Sequence, residues 1–359
     1  MELRYFIIRR LLVLIPTLIG LSIFLFLLMW AYGPCNLVSV YYTVRQHNCA
    51  VIAPQVGIYL NDPVLTYLTY VEHLITGNWG IVGGSGFFLP QGPVLYYISI
   101  FFPNTIQLAL SATVLSLLIA IPLGTYIGSK PNSAADHIGR IFSLSGYAMP
   151  TFWLGYLLIF FFGKGVSSFP TNVFGFVGNG LVNYHQSLPG WVSTTTLLSN
   201  PTHILLIDSL LNGDPAMFVR ALDYLILPVI TITYGILAGI LRFIRAGMVD
   251  SANQEYVKTA RAKGVSEKII IKKHIRRNAL LPTITVVGLL ISGLLGGVVV
   301  VEIVFTYYGI GYLLIQAINP RSFEVWLVMG GTLVFALILV MTNLIVDVLY
   351  AYMDPRIRY

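Results

Sequence analysis

Charge is what this chain has least of. Only 10% of its 359 residues are Asp, Glu, Lys or Arg, against about 25% in a soluble domain, too few to keep a chain of this length in water as globular domains. Cysteine is scarcer still, with Cys35 and Cys49 alone, which excludes a C-x-x-C redox pair and a thiolate zinc site. The six His are scattered, and no H-E-x-x-H, G-x-S-x-G or G-x-x-x-x-G-K-[ST] occurs. The chain therefore has no catalytic constellation and no loop of its own to cradle ATP phosphates. Carboxylates are missing from the middle of its apolar runs: Glu302 falls at the outer end of one and Asp347 toward the inner end of another, both within expected reach of water. A carrier coupled to protons or ions would want a midplane carboxylate and broken helices. We expect no catalytic residue, no metal and no cofactor in this chain, and no nucleic-acid partner.

What is present is apolar length. Hydrophobic residues make up 57% of the chain and the mean hydropathy is +0.81, so the fold expected is an all-α integral membrane protein. About 20 helical residues cover a hydrocarbon core of roughly 30 Å. Six stretches qualify: Leu11 to Tyr32, and then roughly Ser99 to Ser129, Ile138 to Gly163, Leu222 to Val249, Ala279 to Val304 and Val325 to Tyr352. Each must be helical, because lipid offers the backbone no partner but itself. Arg4, Arg9 and Arg10 precede the first as a signal peptide's basic region would, but no small-residue cleavage site follows, so an uncleaved helix is expected. With the N-terminus inside, 17 of the 21 Lys and Arg fall on the cytoplasmic side, and Arg45, Lys164, Arg220 and Arg321 outside. That asymmetry predicts both termini in the cytoplasm.

The chain then divides into residues 1–98, the first membrane helix with an outer loop; 99–353, a five-helix core; and 354–359, a cytoplasmic tail. The core carries an enlarged outer loop at 164–221 and a basic cytoplasmic loop at 250–278. Within the first outer loop, Asn61-Asp62-Pro63 is a helix start signal, and Leu65, Leu68, Val71 and Ile75 follow at helical spacing. A short helix lying along the outer surface is expected there. Cys35 and Cys49 share that loop, on the oxidising side; a bridge closing the residues between them would stabilise by about 3 kcal/mol, and two unbridged thiols are the alternative. If they are bridged, both cysteines should resist alkylation until a reductant is added. Immediate labelling of both in oxidised membranes would rule the bridge out.

The charge that exists is gathered in one place. Glu255 to Pro282 carries eight Lys or Arg against two Glu. It reads as two helices and a turn: Ser251 and Asn253 supply a capping region, Glu255 suits a helix N-terminus, Gly264 permits a left-handed stop, and Ser266 with Glu267 restarts a helix through Ile269 to Ile271. Ala260 and Gly264, one turn apart, offer a small-residue surface to another protein. Topology and anionic lipid alone would account for the charge, but not for a placed Glu, small residues and a Gly break.

Glu255, Tyr256, Val257, Thr259, Ala260, Arg261, Ala262, Lys263 and Gly264, followed by His274, Arg277, Asn278, Ala279, Leu280, Leu281 and Pro282, resemble the EAA loop of permease subunits in ABC importers, in the form found in the dipeptide and oligopeptide branch. The likeness covers nearly the whole chain. It includes the opening RYFIIRRLLVLIPTLIGLSIFLF, L-x-x-G-N-W-G from Leu74 to Gly80, F-P-N-T from Phe102 to Thr105, PTFWLGYLLIF from Pro150 to Phe160, Gly309 to Gly311, and the ending VDVLYAYMDPRIRY. Asn78 stands where the family commonly has Asp, Tyr308 where it has Pro, and loop 164–221 is longer than the branch leads one to expect.

The resemblance implies a six-helix type I importer fold in the plasma membrane of a prokaryote. It implies a second, homologous permease, two cytoplasmic ATP-binding subunits that hold ATP and Mg, and an extracytoplasmic binding protein that delivers cargo. A helix over Ser251 to Lys263 would be the coupling helix, with Glu255, Tyr256, Thr259, Ala260, Arg261, Ala262, Lys263 and Gly264 as the ATPase-coupling residues. Polar candidates for the translocation path are Asn104, Gln107, Thr231, Thr233, Tyr234 and Ser292, each of which has its own backbone or a neighbouring helix as the competing partner. Peptides are the cargo first expected. Oligosaccharides are the alternative, suggested by the aromatic, Asn-rich stretch Val173 to Trp191, and nickel chelates a weaker one. An ATP-independent channel or secondary carrier, or a membrane-anchored scaffold, would leave the basic segment unexplained.

Overall fold

The computed structural model describes residues 3–33, 37, 49, 53–82, 91–163, 202–320 and 323–353. Almost all of them are helical. In chain order the elements are α1 Leu3–Tyr32, a 3-10 turn Ala53–Val56, α2 Pro63–Ile75, strands β1 Ile81–Val82 and β2 Gly92–Pro93, α3 Val94–Gly128, α4 Ala134–Ala148, α5 Thr151–Phe162, α6 Leu205–Leu211, α7 Pro215–Ala252, α8 Glu255–Ala262, α9 Glu267–Ile269, a π-helical stretch Ile270–Ile275, α10 Arg276–Phe305, α11 Ile310–Ala317 and α12 Val325–Met353. The strands form one antiparallel pair, Ile81 opposite Pro93 and Val82 opposite Gly92.

Among the described residues, four helices are long and apolar enough to cross a membrane, and up to six spans result if each of two bent helix pairs counts as one. The expected number of spans is met, but their shape is not. The third span, expected as one helix from Ile138 to Gly163, is α4 and α5 bent by 106°. Each arm, of 15 and 12 residues, is too short to cross a core of roughly 30 Å alone. The cause is local. Pro150 has no N–H and drives the residue before it out of the helical region, and Met149 accordingly lies extended at φ −84°, ψ 121°. The second break lies between α10 and α11, where Thr306 adopts φ 50°.

The chain forms two compact units, residues 1–105 with 308–341, and 106–307 with 342–359. In the first, α1 and α2 pack together. Helix α2 starts where expected, with Asp62 capping the N–H of Leu65 at 2.9 Å and Pro63 opening the first turn. Its apolar Leu68 and Ile75 are 58% and 81% exposed, while Thr66 and Tyr70 are buried. Hydroxyls and rings decide the orientation. Thr66 bonds Tyr59 on both backbone groups, Thr69 donates to Gly57 O at 2.6 Å, Tyr67 OH meets Ser22 Oγ at 2.8 Å, and Tyr70 stacks on Phe26 and packs at a tilt against Trp326.

In the second unit α7 is the axis. Its 38 residues rise about 57 Å at 1.5 Å each, and α4, α5, α6 and α10 all pack on it. Leu237, Ile240, Leu241, Ile244 and Met248 of α7 belong to one core with Val257, Ala260, Ile270, Ile275 and Ala279. The basic loop is thus anchored to the membrane core by its own apolar residues. Glu302, expected within reach of water, is instead fully buried, and the adjacent Tyr307 donates to Gln107 Oε1 at 3.4 Å.

Candidate functional site

The basic segment leaves α7 through a tight break. Asn253, expected with Ser251 to begin the next helix, closes the previous one, its side-chain amide donating to Val249 O at 3.1 Å, while Gln254, whose amide donates to Asp250 O at 3.4 Å, is the residue that caps the next helix. Ser251 lies inside α7 and is buried. The helix expected from Ser251 to Lys263 is therefore α8, Glu255–Ala262, with Glu255 in its first turn where a carboxylate complements the helix dipole.

Gly264 ends α8 as its sequence position suggests. It adopts φ +74°, a region that L-residues with a Cβ rarely enter. Two bonds close the turn, Gly264 N–H to Arg261 O at 2.9 Å and Val265 N–H to Ala260 O at 3.2 Å. That is the Schellman arrangement, in which orphan carbonyls of the last turn are satisfied from beyond the glycine. Arg261 Nε then reaches across the turn to Glu267 Oε1 at 2.6 Å, and Lys258 Nζ meets Glu255 Oε1 at 2.7 Å. Both pairs are exposed, so each adds at most about 1 kcal/mol; their effect is to hold the helix and its turn in one shape.

The two faces of α8 differ. Val257 is fully buried and Ala260 is 8% exposed, both within the core shared with Ile270 and Ile275. Glu255, Tyr256, Lys258, Thr259, Arg261, Ala262, Lys263 and Gly264 are exposed. Ala260 and Gly264 consequently do not form the joint outer surface expected of them: the small side chain at 260 lets α8 sit close on its own subunit. Seven of the eight predicted coupling residues are exposed, and Ala260 is buried.

Five of the predicted path residues have hydrogen-bond partners of their own. Asn104 donates to Tyr308 O at 2.9 Å, Gln107 accepts from Tyr307, and Thr231 returns to Leu227 O of its own helix at 2.8 Å. Thr233 donates to Ala112 O at 3.4 Å, and Tyr234 pairs with Ser145 Oγ at 2.7 Å. Each meets a backbone or neighbouring group, the competing role foreseen for it. The side chain of Ser292, together with Cys35 and the stretch Val173 to Trp191, lies outside the described residues.

Sequence reasoning missed one cluster altogether. Asp136, in the first turn of α4, is fully buried. The Arg245 guanidinium of α7 grips it bidentately, Nε on Oδ1 and Nη2 on Oδ2, the latter at 3.0 Å. Asn132 N–H donates to Oδ2 at 3.0 Å, and Arg140 Nη2 stands 3.7 Å away. No signal in one sequence joins two residues 109 positions apart.

Comparison with known proteins bears on the whole chain. Residues 120–359 match the family model described as binding-protein-dependent transport system inner membrane component. The chain is 35% identical over 356 residues to the oligopeptide transport system permease protein AppB of Bacillus subtilis, covering 99% of each. It is 33% identical to the dipeptide transport system permease protein DppB of Escherichia coli, over 99% of this chain and 98% of that one, and 35% identical to the protein of the same name from Haemophilus influenzae, over 99% of each.

Proposed function

Because this chain belongs to the family of binding-protein-dependent transport system inner membrane components, we propose that it forms half of a translocation path for di- and oligopeptides, driven by ATP hydrolysed on other chains. It is a multi-pass membrane protein, the permease subunit of an ABC importer, and such permeases work with ATP-binding subunits and a substrate-binding protein. The finer statements are our reading. A second, homologous permease completes the path, two cytoplasmic ATPases hold ATP and Mg, and the extracytoplasmic binding protein selects the cargo. Both termini lie in the cytoplasm, on the side that collects 17 of the 21 basic residues.

One observation carries the mechanism: a short helix locked to its own core by Val257 and Ala260 while its other face stands open. A segment built this way transmits displacement rather than absorbing it. Glu255, Tyr256, Thr259, Ala262, Lys263 and Gly264 would seat in a groove on one ATPase, with Arg261 bracing the turn and the surrounding Lys and Arg orienting the approach. Closure of the ATPases on ATP then moves α8, the π-helical stretch and α7 together and opens the path outward, and hydrolysis reverses the motion. The peptide cargo rests on the names of the relatives.

The test is purification from the native membrane in mild detergent, with identification of what copurifies and an assay of ATP hydrolysis with added peptides. Two ATPases, a second permease and stimulation by peptides are expected; a solitary chain that conducts solute without ATP would overturn the reading. A second prediction separates selection from passage. Exchanging the binding protein while both permeases are kept should change the cargo taken up, and uptake that instead follows the permeases would place selectivity in this chain.

A further inference from the structure

Helices α4 and α7 run antiparallel along one another, and their contacts fall on one line. Asp136 meets Arg245 at one end. At the other, Ser145 Oγ meets Tyr234 OH at 2.7 Å, and the rings of Phe142 and Tyr234 pack edge to face at 4.8 Å. Close approach at this second end needs Gly146, where a Cβ would lie 2.6 Å from the Cβ of Ala238. Residue numbers rise along α4 as they fall along α7, so the two helices are tied at both ends of their shared length.

The two ends of this tie point to different places. Arg245 stands seven residues before the end of α7 at Ala252, about 10 Å along the axis from the break that leads into α8. Asp136 opens the arm α4, whose far end is the 106° bend at Met149 and Pro150. A buried carboxylate held by a planar, bidentate guanidinium is a stiff joint, because the two parallel bonds fix angle as well as distance. Asn132, itself at φ 64°, adds its N–H to the same carboxylate and draws in the loop between α3 and α4.

We propose that Asp136 and Arg245 are positioning residues for transport: their buried ion pair makes the arm α4 move with the base of α7, so that displacement of the ATPase-contacting segment reaches the bend between α4 and α5. The proposal rests on the coupling reading given above. It assigns the pair to the conversion of ATP hydrolysis into solute movement, not to docking and not to hydrolysis.

Removing one partner would bury an unpaired charge and risk misassembly, so the informative variant removes both charges, Asp136→Asn with Arg245→Gln. The assembled importer, with its ATPases and binding protein, is reconstituted in liposomes. Copurified ATPase, ATP hydrolysis and peptide taken up per ATP are then measured. We expect full ATPase association, hydrolysis within about twofold of the parent, and uptake per ATP lower by about tenfold, in the range of coupling between distant sites. Unchanged uptake per ATP would overturn the proposal. If the double variant does not assemble, Arg245→Lys decides, since it keeps the charge and loses the fork: an assembled complex with reduced uptake per ATP supports the joint, and a parental ratio overturns it. Failure of the coupling reading itself looks different, because the ATPases would then not copurify even with the unsubstituted chain.

Discussion

Replacing Gly264 by valine is expected to lower the amount of ATPase that copurifies with the chain by about tenfold, with no change in how much of the chain reaches the membrane. Gly264 sits at φ +74°, where an L-residue costs about 1–2 kcal/mol and a β-branched one is a true outlier. Nothing lies within 4 Å of where its Cβ would be, so the substitution creates no collision inside the subunit. The strain is relieved by opening the turn. That breaks the bonds from Gly264 N–H to Arg261 O and from Val265 N–H to Ala260 O, and it pulls Arg261 away from Glu267. A shift of about 1.4 kcal/mol in the docking equilibrium is a factor of ten. Since asparagine tolerates the left-handed region better than valine does, Gly264→Asn should retain most of the bound ATPase. Normal copurification with valine at 264 would remove α8 from the coupling role.

Position 264 also marks the limit of what the sequence discloses. A glycine between two polar, helix-forming stretches announces a stop, and Asp62-Pro63 announces a start, because each acts through its own backbone. The six apolar runs are legible for a similar reason: lipid demands length and apolarity, and both are local properties. The bend at Pro150 is harder to read, since hydropathy continues on both sides and only the missing N–H distinguishes a broken span from a kinked one. Which face of a helix turns inward is not legible from composition alone. Ala260 is a small residue beside a glycine, and composition alone does not separate close approach to a partner from close approach to one's own core; Ile270 and Ile275 decide it. Leu68 and Ile75 are apolar yet exposed, because in a membrane protein an apolar stripe need not face protein. The Asp136 and Arg245 pair is invisible in principle, as nothing in either neighbourhood names the other.

A second glycine tests the same machinery by a different physical route. Gly247 lies in α7, and a Cβ there would fall 2.7 Å from the carbonyl oxygen of Ala279 and 3.4 Å from its Cα. The obstacle is backbone, so no rotamer change relieves it, and α7 and α10 must separate. Overpacking of this kind costs about 1–3 kcal/mol. Gly247→Val is therefore expected to lower the thermal midpoint of the purified chain in detergent, and by more than Gly264→Val does, because the strain at 264 is relieved in an exposed turn. Position matters as well as cost. Gly247 and Ala279 pair across the two stems that enter and leave the basic segment, so parting them also tilts α8, and copurified ATPase should fall alongside stability. Gly235, in the same helix, supplies the control: nothing lies within 4 Å of its Cβ position, and Gly235→Ala should be neutral or stabilising by up to about 1 kcal/mol, the difference in helix propensity. If Gly247→Val kept both its midpoint and its ATPase, α7 and α10 would not be in contact at this level, and the anchoring of the coupling segment to the membrane core would have to lie elsewhere.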